Sequence, residues 1–153
     1  MTITKLLKNN LVLPKLSCSS RDELISKLLE HIYKTDRKLP LSANELRDKI
    51  LMREKIGGTL LPSGLSIPHA RIEDYEDFIL AVGTPAEPLF HDGIQIRLMA
   101  MMISSQSGGA YYLTTLAAFT KLSRDAVYFS RLGDAASPED FLKILEERDI
   151  ELV

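Results

Sequence analysis

The feature that most restricts the fold is a run of eight residues, IRLMAMMI at positions 96–103, in which only Arg97 is polar. A strand with one face in water alternates apolar and polar residues, whereas a strand buried on both faces reads as a continuous apolar run. The run therefore predicts a central strand, at the end of a longer apolar segment over Ile94–Ile103. Such a strand needs other elements packed against both of its faces.

Helical patterns on both sides of this segment can supply those elements. The sequences SRDE at residues 20–23 and SANE at residues 42–45 are capping boxes, in which a serine begins a helix and a glutamate reaches back to it. Apolar residues recur at helical spacing after the first box. The sequence SPED at residues 137–140 predicts a third helix start, with proline at the first helical position. Helices are thus predicted before and after the strands.

Short apolar segments of β type lie between these helices. They are Leu65–Ile67, Phe78–Val82, Leu89–Phe90 and Ile94–Ile103. The order of helices, strands and helices predicts an α/β fold with a mixed β-sheet flanked by helices on both faces. The length of 153 residues suits a single domain over residues 1–153, and no repeat or linker divides it.

The composition argues against several classes of function. Lysine and arginine number 19 against 21 acidic residues, a net charge of −2, so no basic excess exists for binding nucleic acid. Cys18 is the only cysteine and cannot form an internal disulfide, which suits a reducing compartment. The N-terminus lacks the apolar segment of a signal peptide, and the longest apolar stretch is too short to span a membrane. We therefore expect a cytoplasmic protein that neither binds nucleic acid nor inserts into a membrane.

The candidate functional residue is His69, in the segment GLSIPHAR at residues 64–71. Pro68 holds the backbone before it in a stiff, extended form. His69 has the same strand parity as Leu65 and Ile67, so in a regular strand it points inward. Pro68, however, predicts that the strand ends here, which places His69 at the margin of the sheet and available to a partner. The spacing alone fits a buried structural histidine equally well.

Other site chemistries are not favoured. The three histidines, His31, His69 and His91, lack the spacing of metal ligands, and no cysteine pair accompanies them. No Gly-x-Ser-x-Gly turn indicates a serine hydrolase. The pair Gly57 and Gly58 matches neither a phosphate-binding loop nor a dinucleotide fingerprint, and predicts a turn between helix and sheet.

Residues 53–71, REKIGGTLLPSGLSIPHAR, resemble the active-site signature of the EIIA domains of the bacterial phosphoenolpyruvate-dependent phosphotransferase system. The class that they resemble is the fructose/mannitol type, and in character the chain is most similar to its stand-alone nitrogen-regulatory branch. The matching residues are Arg53-Glu54, Gly58-Thr59, Gly64 and Ser66–Ala70. The resemblance extends over nearly the whole chain, including the order of its helices and strands.

The resemblance implies the fructose/mannitol-type EIIA fold and a phosphoryl acceptor at His69, with the histidine phosphocarrier HPr or its nitrogen-branch counterpart as donor. A neutral imidazole nitrogen is a competent nucleophile near pH 7, and the transfer needs mainly alignment and charge compensation. Arg53, sixteen residues before His69, offers a planar cation to the phosphoryl oxygens. Thr59 adds hydrogen bonds to the phosphoryl group in this interpretation. No metal or organic cofactor is implied.

The chain departs from the family pattern at three positions. Many members carry a second histidine where the alignment of the late helix puts Tyr112. The tyrosine hydroxyl can donate a hydrogen bond to a phosphoryl oxygen, but it cannot become a cation at neutral pH. Ser63 replaces an acid or amide of some members, and Ser66 stands where alanine is usual. These changes are compatible with phosphoryl acceptance and weaken the expectation of efficient transfer onward to a sugar-permease domain.

Two functions of different classes follow. The first is that of a phosphotransferase, a phosphohistidine carrier that serves sugar uptake through an EIIB domain or nitrogen-type regulation. The second is a regulatory interaction module, poorly phosphorylated, that binds a transporter, a kinase or a transcription factor. These 153 residues include no EIIB or membrane segment, which favours a regulatory output.

Overall fold

The apolar run forms the central strand of a layered α/β structure. The computed structural model describes residues 1–35, 38–106 and 109–152. The elements in chain order are helix α1 (Ile3–Leu6), a 3₁₀ turn (Asn9–Leu11), strand β1 (Val12–Leu16), helices α2 (Arg21–Tyr33) and α3 (Ala43–Gly57), strands β2 (Leu65–Ser66), β3 (His69–Ile72), β4 (Ile79–Pro85), β5 (Leu89–His91), β6 (Ile94–Ile96) and β7 (Leu98–Ser105), and helices α4 (Gly109–Ser123), α5 (Ala126–Asp134) and α6 (Pro138–Glu146). Among these residues, no helix combines the length and the apolar character needed to cross a bilayer.

Five strands form one mixed sheet. Its order is β1, β4 and β7, with β2 and β3 following one another along the outer edge of β7. Strand β4 is antiparallel to β7, whereas β1 is parallel to β4 and the two edge segments are parallel to β7. Strands β5 and β6 form a separate antiparallel hairpin. The predicted mixed sheet is therefore confirmed.

Helices cover both faces of this sheet, as predicted. The fully buried apolar residues of β7 alternate between two cores, with Leu98, Ala100 and Met102 on one face and Met99, Met101 and Ile103 on the other. The first core is completed by α1, α4, α5 and α6, and the second by α2 and α3. A polar side chain on either face of β7 would be desolvated among apolar groups, which explains why the run is almost continuously apolar.

The serine caps begin the helices where the sequence places them. At α3, Ser42 Oγ accepts from the N–H of Glu45, and the Glu45 carboxylate accepts from the N–H of Ser42. At α2, Ser20 Oγ accepts from the N–H of Glu23, but the Glu23 carboxylate accepts from the N–H of Ser19. The expectation of a complete capping box at residues 20–23 is wrong, because the carboxylate reaches past Ser20 to its neighbour.

The predicted strand over Ile94–Ile103 is divided in the structure. Its first part is β6, which pairs with β5, and its second part is β7. Between them, the carbonyl oxygen of Gly64 accepts from the N–H groups of Arg97 and Leu98 at 2.8 and 3.4 Å. The expectation of one continuous strand is wrong at Arg97, because the backbone there bonds to the loop before β2.

Two strands were not predicted. The sequence of strand β1 contains Pro14 and Lys15 and therefore lacks a strand pattern. Its backbone is also irregular, because Lys15 has a φ of 58°. Strand β3 follows Pro68, where the strand was predicted to end. Strand β2 does end before Pro68, at Ser66, but pairing with β7 resumes at His69, because the proline lies at the sheet edge, where a residue without an N–H is tolerated. The expectation that strand parity fails there is wrong. The Pro68 carbonyl still accepts from the N–H of Met102 at 2.9 Å, which keeps the two segments in one register.

A close backbone approach at Gly64 joins the edge strand to the start of β7. Gly64 has a φ of +93°, and a Cβ atom there would lie 2.4 Å from the carbonyl oxygen of Gln95. Gly93 also has a positive φ, +78°, but a Cβ atom there would meet no atom within 4 Å. Substitution of each of the two glycines by alanine therefore distinguishes the cost of backbone strain from the cost of steric overlap.

We expect Gly64→Ala to lower the free energy of unfolding by about 3 kcal/mol, because left-handed strain and overpacking combine at this residue. The matched control, Gly93→Ala, carries the strain alone and is expected to cost about 1 kcal/mol. Urea unfolding measures both losses from the transition midpoints at an unchanged slope. Equal losses in the two variants would contradict the close-approach explanation.

Candidate functional site

His69 lies inside the structure, between the sheet and α4. It is the first residue of β3, pairs with Met102 of β7, and has a side chain that is only 1% exposed. The expected position on an edge strand is correct, but the ring points inward because regular strand parity continues through Pro68. Two residues beyond Met102 on the same face, Ser104 places its Oγ atom 2.8 Å from Nε2 of His69.

Tyr112 packs directly on the His69 ring. The two rings are stacked, with centroids 3.8 Å apart and planes inclined by 13°. The guanidinium carbon of Arg71 lies over the tyrosine ring, 5.7 Å from its centroid. The structure thus brings together His69 and Tyr112, two of the predicted site residues. The contact is between ring faces, and Tyr112 remains partly exposed on the solvent side.

The His69 imidazole is held in its neutral form. Burial, and after it the positive charges of Arg53 and Arg71, together lower its pKa from 6.5 to about 4. With Nε2 bonded to Ser104, Nδ1 is buried and has no hydrogen-bond partner. At neutral pH the ring is therefore an uncharged base with a nitrogen lone pair, the form that can act as a nucleophile.

Arg53 lies near His69 without bonding to it. It is exposed in the last turns of α3, where it lines a shallow depression with Met52 and Ile56. Its charge acts on the His69 pKa, but neither ring nitrogen accepts from it. An exposed guanidinium beside a buried imidazole can bind an anion that approaches from solvent.

Thr59 belongs to a buried polar network that supports the segment before His69. Its hydroxyl lies 2.6 Å from the carbonyl oxygen of Ile67 and 3.0 Å from Glu54 Oε1, so one proton is shared between two acceptors. Glu54 also accepts from the Thr59 N–H and from Arg21 Nη1, both at 3.2 Å. The hydroxyl of Thr59 is thus engaged with protein groups, and its predicted role in binding phosphate stays a prediction.

Ser63 is directed away from the candidate site. Its Oγ lies 3.0 Å from Ser123 Oγ, at the end of α4. Tyr112 is eleven residues earlier in the same helix, a separation of roughly 16 Å along the axis. Ser63 therefore has no direct contact with the imidazole environment.

Sequence reasoning missed Ser104 and Arg21 as parts of the site and its support, whereas Glu54 belongs to the signature at residues 53–71. Ser104 ends the apolar run, and a register between β3 and β7 was needed to bring it to His69. Arg21 was interpreted only as part of a helix start, although its guanidinium is buried against Glu54. Nothing local in the sequence distinguishes either contact.

No metal or cofactor site emerges from these residues. Within the part of the chain that the structure describes, no group of three or more His, Cys, Asp or Glu side chains is arranged to hold a metal ion. The chemistry available at the site is that of a neutral imidazole, a buried hydroxyl and two nearby guanidinium groups.

Comparison with known proteins identifies the family. The model of the phosphoenolpyruvate-dependent sugar phosphotransferase system, EIIA 2, matches residues 5–148. The chain therefore belongs to this family, as its resemblance at residues 53–71 implied, and its role is that of a phosphocarrier.

Curated relatives include a nitrogen regulatory protein of Klebsiella oxytoca, which is 28% identical over 96% of this chain and 91% of its own length. The 2-O-alpha-mannosyl-D-glycerate-specific EIIABC component of the Escherichia coli system is 24% identical over 97% of this chain. This chain corresponds to only 23% of that longer protein.

Solved structures show the same fold. The nitrogen regulatory protein IIA-Ntr of Neisseria meningitidis superposes with a TM-score of 0.75 at 22% identity, covering 94% of this chain and 98% of that one. Enzyme IIA for mannitol of Escherichia coli, in complex with phosphorylated enzyme IIB, superposes with a TM-score of 0.72 at 16% identity, covering 93% and 98%. The expected mannitol-type fold is confirmed.

The depressed pKa of His69 makes a direct prediction. In an NMR titration we expect its imidazole signals to stay those of a neutral ring from pH 8 to about 5 and to change near pH 4, because of burial and the two guanidinium groups. The unfolded chain binds a proton at this residue near pH 6.5, so His69 lowers stability as the pH falls from 6.5 to about 4. His69→Gln is expected to remove that part of the pH dependence. A transition near pH 6.5 would contradict a ring buried beside cations.

Proposed function

We propose that this protein carries a phosphoryl group on His69, as a phosphohistidine carrier of the phosphotransferase system. The observation that supports this most is the environment of the imidazole, which is neutral at physiological pH and lies in the field of Arg53 and Arg71. A buried structural histidine gains nothing from two nearby cations, since they disfavour its protonated form. A phosphoryl acceptor gains from both, because the group that arrives is an anion.

The proposed transfer is a direct displacement at phosphorus. The lone pair of one His69 nitrogen forms the new N–P bond, while the N–P bond of the donor breaks and its electron pair returns to the donor imidazole. No net redox change or extra reactant is involved. Arg53 binds the equatorial oxygens during the displacement, and alignment with charge compensation is most of what this chemistry requires.

The proposed donor is an HPr-type phosphocarrier protein or its nitrogen-branch counterpart. Exposed apolar side chains beside Arg53 offer such a partner a contact, since Met52 and Ile56 are 66% and 86% exposed. The proposed output is regulation, since the nitrogen regulatory relatives match this chain over nearly their whole length. Transfer to an EIIB domain is the second candidate, favoured by the similarity to a protein whose name includes the A, B and C components.

We expect incubation with phosphoenolpyruvate, Enzyme I and a phosphocarrier to add one acid-labile phosphoryl group to the wild-type chain. His69→Ala should receive none, and His91→Ala, at a partly exposed histidine of the β5 hairpin, is the matched control that should be labelled normally. Intact-protein mass spectrometry measures the mass added before and after acid treatment.

Label that persists in His69→Ala would contradict the assignment of the acceptor. Absence of label from the wild type with both HPr and its nitrogen-branch counterpart would contradict the carrier function itself and favour the interaction module. A chase with an EIIB domain separates the two outputs, because loss of label to EIIB supports transport and retention supports regulation.

We expect Arg53→Ala to slow phosphoryl acceptance by about 10- to 100-fold, because a charge-assisted contact worth roughly 1.5–3 kcal/mol is lost at the transferring group. Lys55→Ala removes another exposed cation from the same helix and should leave the rate unchanged. Rapid-quench labelling measures the rates, and urea unfolding checks that neither variant is destabilised. An unaltered rate in Arg53→Ala would leave this residue with no part in the transfer.

A further inference from the structure

The two side chains that contact the His69 ring differ in their exposure to solvent. Ser104, the partner of Nε2, is itself buried, whereas Tyr112, the partner of the ring face, is partly exposed. Tyr112 is therefore a partly exposed residue in direct contact with the imidazole. We propose that Tyr112 is a gating residue, whose ring must leave His69 before a phosphoryl donor can reach either nitrogen. The inference rests on the proposed function of His69 as acceptor.

Neither nitrogen is accessible in this structure. Attack on phosphorus uses a lone pair in the plane of the ring, and in that plane Nε2 is occupied by Ser104 Oγ at 2.8 Å. Nδ1 carries less than 1 Å² of exposed surface and has no partner. A phosphoryl group with three oxygens cannot be placed on either atom in this arrangement, so acceptance requires an opened form of the site.

Tyr112 is the group best placed to open. It lies near the start of α4, and its partner on the solvent side, Arg71, is exposed. Ser104 is buried, and its strand cannot shift without breaking the backbone pairing of β3 with β7, so the ring opens toward solvent on the Tyr112 side. Breaking one aromatic stack makes the open form about tenfold less populated than the closed form. A local fluctuation can reach a form of that population.

Arg71 connects this opening to the phosphoryl group. Its guanidinium interacts with the Tyr112 ring when the site is closed, at 5.7 Å. A phosphoryl oxygen is a stronger partner for a guanidinium than an aromatic face. Once the phosphoryl group is on His69, Arg71 is expected to bind it, and Tyr112 has lost both of the contacts that held it closed. The unmodified chain is then closed and the phosphorylated chain open.

The gate is distinct from the hydrogen bond that the sequence predicted for the Tyr112 hydroxyl. A gate depends on the ring, so phenylalanine retains it and a side chain without a ring removes it. A hydroxyl donor depends on the oxygen, so phenylalanine removes it. Comparison of Tyr112→Phe with Tyr112→Ala therefore separates the two roles.

Access to the imidazole can be measured without any phosphocarrier. Diethyl pyrocarbonate acylates a neutral imidazole nitrogen, and His69 is neutral at pH 7, so slow acylation there reports access and not protonation. Peptide mass spectrometry gives the rate at each histidine, with the partly exposed His31 and His91 as internal references for an intact fold.

We expect acylation of His69 to be slow in the wild type and in Tyr112→Phe, and about tenfold faster in Tyr112→Ala, with the reference histidines unchanged. Tyr112→Leu, which retains an apolar helix-forming side chain without a ring, should behave as Tyr112→Ala and serves if the alanine variant does not fold. Equal His69 rates in the wild type and in the variants without a ring would overturn the proposal. So would a rate in Tyr112→Phe that matches Tyr112→Ala.

The second measurement is the rate of phosphoryl acceptance from the phosphocarrier, which should be higher in Tyr112→Ala than in Tyr112→Phe. The reverse order, or equal rates, would show that the ring does not control transfer. If no form of the chain is phosphorylated, the proposed carrier function fails, and the acylation rates still decide whether Tyr112 covers His69.

Discussion

The site depends on the pairing register between the edge strand and the central strand. Residue 65 pairs with residue 98, residue 69 with residue 102 and residue 72 with residue 105, so the offset stays constant through the break at Pro68. A slip of one residue would reverse every side chain of β3 and turn His69 toward α2 and α3. Ser104 and α4 would then be on the opposite face. The continuous register is therefore what places an imidazole, a serine and an aromatic ring together.

The positive charges around His69 interact more favourably with an anion bound there than with the unmodified imidazole. Before transfer, burial and two guanidinium groups disfavour a protonated ring and hold its pKa near 4. In the proposed phosphorylated form, the same guanidinium groups would face a phosphoryl dianion and become favourable partners. The buried Arg21–Glu54 pair has a different part, since its two charges neutralise each other within the protein and Glu54 supports the Thr59 turn. The two kinds of arginine are distinguished by exposure, because only the exposed ones can exchange partners.

The features of the fold that depend on neighbouring residues could be predicted from the sequence. The serine caps and the central apolar strand could be identified because each depends on neighbouring residues, whereas the pairing of Arg53 with His69 came from the family resemblance. Strands β1 and β3 could not, since Pro14, Lys15 and Pro68 are tolerated only through pairing with distant residues. The contact of Ser104 with His69 spans 35 residues and the stack with Tyr112 spans 43, so both required the assembled sheet and α4. The inward direction of His69 was missed because proline was taken as the end of the strand.

The resemblance places Tyr112 where many family members carry a second histidine, and a tyrosine there changes how the site is charged. A second imidazole can gain a proton and add a cation beside the phosphoryl group, whereas a tyrosine stays neutral and offers a ring face. Under the proposed function, compensation of the phosphoryl charge falls on Arg53 and Arg71, one from α3 and one from β3. Both reach the site from solvent, and Tyr112 lies between Arg71 and the imidazole. If Tyr112 gates His69 as proposed, the arrival of the anion and the uncovering of its acceptor are parts of the same rearrangement.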